Sequence, residues 1–88
     1  MPGDLIVLHH EDRLRQSLTA LGTHRLTSKD VAVQLGWTRH ETPFEKLDPF
    51  AQGMAAMETK AHLDLLVARG QAGRDASGEA VEYWAITD

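Results

Sequence analysis

The sequence predicts a mainly helical α+β fold in which three helices are followed by a C-terminal β-hairpin. Apolar residues at helical spacing, with a capping residue at each end, predict a long third helix over residues 49–69. Two shorter amphipathic segments precede it, and apolar–polar alternation follows it. Helix, short strand, helix, helix and hairpin is the element order of a winged helix, so we expect residues 1–88 to form one such domain.

The third helix is the element around which the rest is arranged. Asp48 is a good N-cap, Pro49 suits the first helical position, and Gly70 can adopt the left-handed conformation that ends a helix. Helical spacing places two apolar stripes on it. One stripe contains Phe50, Met54, Met57, Ala61, Leu65 and Ala68, and the other contains Ala56, Thr59, Leu63, Leu66 and Val67. Thr59, Leu63 and Leu66 are expected to face the other two helices.

The first helix is predicted over residues 3–22, with Asp4 as N-cap and Gly22 at its end. Its inner face carries Val7, Leu14, Leu18 and Leu21. Residues 5–8 are all apolar, which is more than one face requires. They either pack on their own domain or dock on a partner.

The second helix is predicted over residues 27–36, after a short strand at 25–27. Hydroxyls of Thr27 and Ser28 can cap it, Asp30 favours its first turn, and Gly36 is expected to end it. A polar connector follows over residues 37–48. We expect Phe44 and Leu47 to attach this connector to the core through a short helical turn.

The wing is predicted over residues 71–87. Residues 71–74 form its first strand, residues 75–78 the loop, and residues 79–86 the second strand. Within this second strand Val81, Tyr83 and Ala85 are expected on one face. Ala80, Glu82, Trp84 and Ile86 are expected on the other.

Composition and charge exclude several classes of protein. An apolar content of 42% is ordinary for a folded chain, and the absence of cysteine excludes disulfides and cysteine-ligated zinc. No apolar run is long enough for a signal peptide or membrane span. We therefore expect a soluble, cytoplasmic protein. The net charge is −4, and the excess is all in residues 48–88, with seven acidic residues against three Lys and Arg.

No residue pattern predicts catalysis or a metal site in this chain. Residues 9–12, His-His-Glu-Asp, are rich in possible ligands, but adjacent helical residues point about 100° apart. The other histidines are isolated. A phosphate-binding glycine loop, a nucleophile elbow and a carboxylate pair are all missing from the sequence. We expect no cofactor in this chain and no enzymatic activity from it alone.

Nucleic acid is disfavoured as a partner, although winged helices commonly bind it. The third helix and wing supply only Lys60, Arg69 and Arg74 for phosphate contacts. The stripe that contains Met54, Met57 and Leu65, here called the outer stripe, offers methionine and aliphatic side chains. These cannot hydrogen-bond to base edges. A free-standing dimeric DNA-binding regulator using these three bases and those of helix two is the alternative function.

The outer stripe of the third helix fits protein contact better. Either the connector folds back and covers it, or a catalytic domain or second copy does. The predicted interaction surface contains Leu5, Ile6, Met54, Met57 and Leu65.

Three segments resemble the C-terminal winged-helix domain of metallo-β-lactamase-fold hydrolases, namely HHEDRLRQSLTAL, LTSKDVAVQL and AMETKAHLDLLVARGQA. His10 and Arg13 match the start of that family's first helix, and its leucines are matched by Leu14, Leu18 and Leu21. The Ala-His-Leu-x-x-Leu-x-x-x-Gly run is matched by Ala61, His62, Leu63, Leu66 and Gly70.

The resemblance implies an accessory domain that packs on a zinc-binding hydrolase domain. The family's zinc motif, H-x-H-x-D-H, is not in this sequence, so zinc would belong to the parent catalytic domain. The resemblance assigns family-specific polar contacts to His10, Arg13 and His62. A polar network between the first and third helices is the simpler role for these three side chains. Leu65 and Val67 depart from the family pattern, which commonly has charged residues there.

Overall fold

The computed structural model describes the backbone of residues 2–37 and 40–86 and the side chains of residues 10–37 and 40–86. In chain order the elements are α1 (Pro2–Leu21), β1 (Leu26–Thr27), α2 (Ser28–Val33), β2 (Gly36–Trp37), β3 (Thr42–Pro43), a 3₁₀ turn (Phe44–Lys46), α3 (Pro49–Ala68), β4 (Ala72–Asp75) and β5 (Glu82–Ala85). Three α-helices and two small antiparallel sheets make up this described part, so the predicted α+β class is confirmed.

Helix α3 has the predicted caps. The Asp48 carboxylate accepts a hydrogen bond of 2.8 Å from the Ala51 amide, and Pro49 is the first helical residue. Gly70 has φ +76°, the left-handed conformation expected after a helix end. The helix ends at Ala68, one residue before the predicted end.

Helix α1 begins at Pro2, so the prediction that Asp4 is its N-cap is wrong. The backbone is already helical before Asp4, which therefore lies inside the first turn. The predicted end is confirmed, because the helix stops at Leu21 and Gly22 has φ +55°. Leu14 and Leu21 are buried and Leu18 is half-buried, as expected for the inner face.

Helix α2 begins as predicted and ends early. Thr27 is its N-cap, and a reciprocal pair of hydrogen bonds joins Thr27 and Asp30, each bond 3.1 Å long. The helix stops at Val33, so the prediction that Gly36 ends it is wrong. Gly36 instead lies in strand β2 and pairs with Pro43 of β3.

The β2–β3 hairpin lies in the connector that the sequence predicted as irregular. A Cβ added at Gly36 would lie 3.1 Å from the Glu41 Cα and would displace the movable end of the Glu41 side chain, so glycine makes this close approach of the two strands easier. The helical turn was predicted correctly at Phe44–Lys46. Residues 38 and 39 of the connector lie outside the described residues.

The three-stranded sheet has the order β1-β5-β4 and is antiparallel throughout. Tyr83 of β5 pairs with Leu26 on one side and with Arg74 on the other. The strands are Ala72–Asp75 and Glu82–Ala85, so the first begins one residue later and the second is shorter than predicted. Tyr83 is fully buried, and Val81 and Ala85 pack on the core, so this set of the alternating residues forms the inner face.

Two groups of buried side chains stabilise the fold. The larger lies where α1, α2 and α3 meet the sheet and contains Leu14, Leu21, Val31, Leu63, Leu66, Ala72 and Tyr83. The smaller contains Ala32, Trp37, Phe44 and Ala55, with Leu47 packed against it. This second group attaches the connector to α2 and α3, as predicted for Phe44 and Leu47.

Candidate functional site

The outer stripe of α3 is exposed along the helix. Phe50 is 79% exposed, Met57 69%, Met54 53% and Leu65 41%. The opposite face is buried, and it carries Ala55, Thr59, His62, Leu63 and Leu66. Large apolar side chains with this exposure on one helix face are characteristic of contact surfaces.

A groove of about 540 Å³ lies beside the first half of α3, and we call it the α3 groove. Its lining residues are Trp37, Leu47, Phe50, Ala51, Met54, Ala55, Met57 and Glu58. Three separate segments contribute, namely the β2 strand, the end of the 3₁₀ turn and helix α3. The groove is therefore a product of the tertiary fold.

The Trp37 side chain has two partners beside this groove. Its indole Nε1 donates a 2.9 Å hydrogen bond to the Ala32 carbonyl, and the Arg13 guanidinium lies 4.6 Å from the ring centroid. The side chain is 6% exposed. An indole fixed from two sides gives the groove a preformed aromatic wall.

The described part of the connector, residues 37 and 40–48, does not cover the outer stripe. Phe44 is buried against Ala32, Trp37 and Ala55, and Leu47 forms one wall of the groove. Met54 and Met57 stay exposed. The alternative in which the connector folds back over them is therefore wrong.

Glu58 supplies the charge at the edge of the α3 groove. Within residues 10–37 and 40–86 it makes no salt bridge and no side-chain hydrogen bond. Glu45 and Glu79 likewise make no salt bridge within these residues, whereas Glu11, Asp64 and Asp75 are each paired with an arginine or lysine.

The three basic side chains predicted to contact nucleic acid under the alternative function all form salt bridges with carboxylates. Lys60 Nζ lies 2.8 Å from Asp64 Oδ2, and Arg74 Nε lies 3.5 Å from Asp64 Oδ1. Arg69 makes two hydrogen bonds to Glu11, of 2.9 and 3.1 Å. Arg69 therefore joins α3 to α1, while the other two bases converge on one carboxylate.

Asp64 is the centre of a small polar cluster that joins the wing to α3. The Tyr83 hydroxyl donates a 2.6 Å hydrogen bond to Asp64 Oδ1. Partial burial raises the pKa of the Asp64 carboxyl, but hydrogen bonds from Lys60 and Tyr83, together with the Lys60 and Arg74 charges, outweigh it and hold that pKa below its usual value. Burial and then the bond to Asp64 raise the pKa of Tyr83. Both shifts indicate an ionised Asp64.

His10 and His62 meet between α1 and α3. His10 Nδ1 lies 3.3 Å from His62 Nε2, and the ring centroids are 5.5 Å apart. His62 is 7% exposed. The structure thus brings together two of the three residues assigned to family-specific contacts.

Arg13 lies elsewhere and has different partners. It donates hydrogen bonds to the Gly36 carbonyl and to Gln16, in addition to its stacking on Trp37. It therefore supports the groove wall. The side chains of Leu5 and Ile6, also predicted for the interaction surface, lie outside the described residues.

The sequence predicted that Met54 and Met57 belong to the interaction surface, but it did not predict the rest of the groove. Trp37, Leu47 and Glu58 were not assigned to the site, although a tryptophan in a polar connector was a usable signal. In the part of the chain whose side chains are described, no three His, Cys, Asp or Glu residues are grouped to hold a metal ion. None of the described helices is both long and apolar enough to cross a membrane.

Comparison with family models, with curated proteins and with solved structures finds no match to this chain. The site must therefore be interpreted from its own geometry.

Proposed function

We propose that this chain is a non-catalytic winged-helix domain that docks on another protein through the outer stripe and groove of α3. The observation that carries the proposal is the exposure of Phe50, Met54 and Met57 beside a preformed groove. Leaving these side chains in water costs about 1.5–3 kcal/mol each relative to burial, so a partner surface that covers them gains affinity.

The topology supports the winged-helix part of the proposal. Strand β1 precedes α2 and forms a sheet with a hairpin that follows α3, in the order β1-β5-β4. A short strand between the first two helices that pairs with a C-terminal hairpin is what this fold requires. The proposed setting is the cytoplasm, which suits a chain without cysteine.

The charge arrangement supports a protein partner over nucleic acid. Lys60, Arg69 and Arg74 would have to leave Asp64 or Glu11 before they could bind phosphates. A protein gains affinity for duplex DNA when its Lys and Arg side chains contact phosphates and release the counterions bound there. Side chains already paired with carboxylates contribute less to this release. A helix with an apolar outer face and salt-bridged Lys and Arg side chains has few groups that could bind a phosphate backbone.

The proposed partner is a catalytic domain of the metallo-β-lactamase type, as the resemblance around His10, Arg13 and His62 implies. Zinc would then be held by that domain. An immunoblot of source cells tests the covalent form of this arrangement, because a band well above 9.7 kDa places the domain in a longer protein.

Site-specific photo-crosslinking in source cells tests the docking function. A benzophenone amino acid replaces Met54 in the groove, and a control chain carries it at Lys29, an exposed residue of α2. We expect a discrete crosslinked protein from position 54 only, and its loss when Met57→Asp is added.

The Met57→Asp chain needs a folding control. Because Met57 is 69% exposed, its melting temperature should be close to that of the unaltered chain. Equal crosslinking from positions 54 and 29, or a product that persists in the Met57→Asp chain, would refute docking through this surface.

A further inference from the structure

The α3 groove has an apolar lining that suits one amphipathic helix. Its walls are the fixed indole of Trp37 and the flexible side chains of Met54 and Met57. Methionine side chains adapt to differently shaped apolar partners, and grooves of this kind accept anchors spaced three and four residues apart on a helix. A volume of about 540 Å³ is within the range of ligand-binding clefts.

The negative charge of Glu58 indicates the charge that a partner helix should carry. Docking an apolar surface beside Glu58 removes water from its carboxylate, and this is costly unless the partner supplies a cation. Within the described part of the chain the carboxylate has no such cation, whereas Asp64 and Glu11 have theirs. The missing charge must therefore come from the occupant.

A second copy of this chain is the wrong occupant on the same grounds. Each copy has a net charge of −4 and carries Glu58 at the edge of its groove. A two-fold contact through this groove would bring like charges together, which lowers affinity.

On this basis we propose that the α3 groove binds a basic amphipathic helix, with apolar side chains against Trp37 and Met57 and a Lys or Arg paired with Glu58. The inference rests on the proposed docking function and adds the chemistry of the partner.

Synthetic peptides test the inference directly. One helical peptide of about five turns carries leucines at helical spacing with lysines elsewhere, and its matched analogue has glutamate in place of every lysine. Fluorescence anisotropy of the labelled peptides at physiological salt gives the affinities for the full chain. We expect the leucine–lysine peptide to bind at least tenfold more tightly than the leucine–glutamate peptide.

Matched variants separate the groove from general attraction to an acidic protein. Glu58→Gln should weaken binding of the lysine peptide about tenfold, whereas Glu79→Gln, which removes the same charge from the exposed wing loop, should change it less than twofold. Met57→Gln should weaken it more than tenfold. Val33→Thr, a change at an exposed apolar residue of α2, should have little effect.

Each contrary result has a defined meaning. Equal effects of Glu58→Gln and Glu79→Gln, or equal affinity for both peptides, would overturn the cation pairing. Unchanged binding by the Met57→Gln chain would place the peptide elsewhere and overturn the groove as its site. A groove-dependent crosslink in cells without these charge effects would leave docking intact and overturn only the basic helix. The predicted peptide affinities without any cellular crosslink would support the site chemistry and count against the proposed function.

Discussion

At the scale of single residues, Ser17 is the side chain whose environment fits it least well. It is fully buried in α1, and its hydroxyl has no hydrogen-bond partner within the described part of the chain. A buried polar group without a partner costs about 1–3 kcal/mol. We therefore expect Ser17→Ala to raise the free energy of unfolding by about 0.5–1 kcal/mol, since alanine also favours helix. Urea denaturation measures this, and a loss of stability would show that the hydroxyl has a partner.

Asp75 should give the wing a pH-dependent stability. Hydrogen bonds from the Ser77 side chain and amide, followed by one from Arg25, lower the pKa of Asp75 to about 2. Because this value lies below the ordinary 3.8, the stabilisation is complete above about pH 4 and is lost as the pH falls towards 2. Unfolding measured between pH 2 and 5 should therefore depend less steeply on pH in Asp75→Asn than in the unaltered chain. Glu79→Gln is the matched control and should retain the steeper dependence.

At the scale of elements, two glycines of the α3 region should respond oppositely to alanine. Gly53 lies inside the helix and Gly70 follows its end with φ +76°, and a Cβ would meet nothing within 4 Å at either position. Only backbone conformation then distinguishes them. We expect Gly53→Ala to stabilise the chain by about 0.5–1 kcal/mol and Gly70→Ala to destabilise it by about 1–2 kcal/mol. Thermal melts of the two variants check this, and changes of the same sign would contradict it.

The starts of α2 and α3 were predictable because their determinants are local. Thr27 bonds to Asp30 and Asp48 bonds to Ala51, so each cap is set by residues three positions apart. The premature end of α2 was not predictable in this way. It depends on Gly36 and Trp37 pairing with β3 and on Arg13, which is 23 residues from the Gly36 carbonyl that it binds. Strands of two residues are also too short to show a period in the sequence.

The same distinction applies to the candidate site. Met54, Met57 and Leu65 lie on one helix, so their spacing was enough to predict that they share a face. The groove beside them needs Trp37 and Leu47 from other segments. Glu58 had no distinguishing signal in the sequence, because its place beside the groove depends on the segments that the fold brings to α3.

At the scale of the whole molecule, salt-bridged Lys and Arg side chains and a net charge of −4 predict that the chain does not bind DNA. Anisotropy with a labelled random duplex should show no saturable binding at about 50 mM salt, where electrostatic attraction is strong. Asp64→Asn should raise any residual affinity, because it releases both Lys60 and Arg74. Tight binding by the unaltered chain, with a steep salt dependence, would favour the regulator instead.

The strand order also determines when the domain can become complete during synthesis. β5 follows β1 and β4 in the chain and lies between them in the sheet. Neither β1 nor β4 can form its pairing with β5 until β5 has been synthesised. Until residues 82–85 leave the ribosome, Tyr83 cannot enter the core and Asp64 lacks its hydroxyl donor. A nascent chain arrested shortly before this point should therefore lack the part of the core that Tyr83 fills. For this domain, the period of greatest exposure to chaperones and proteases ends only with its final strand.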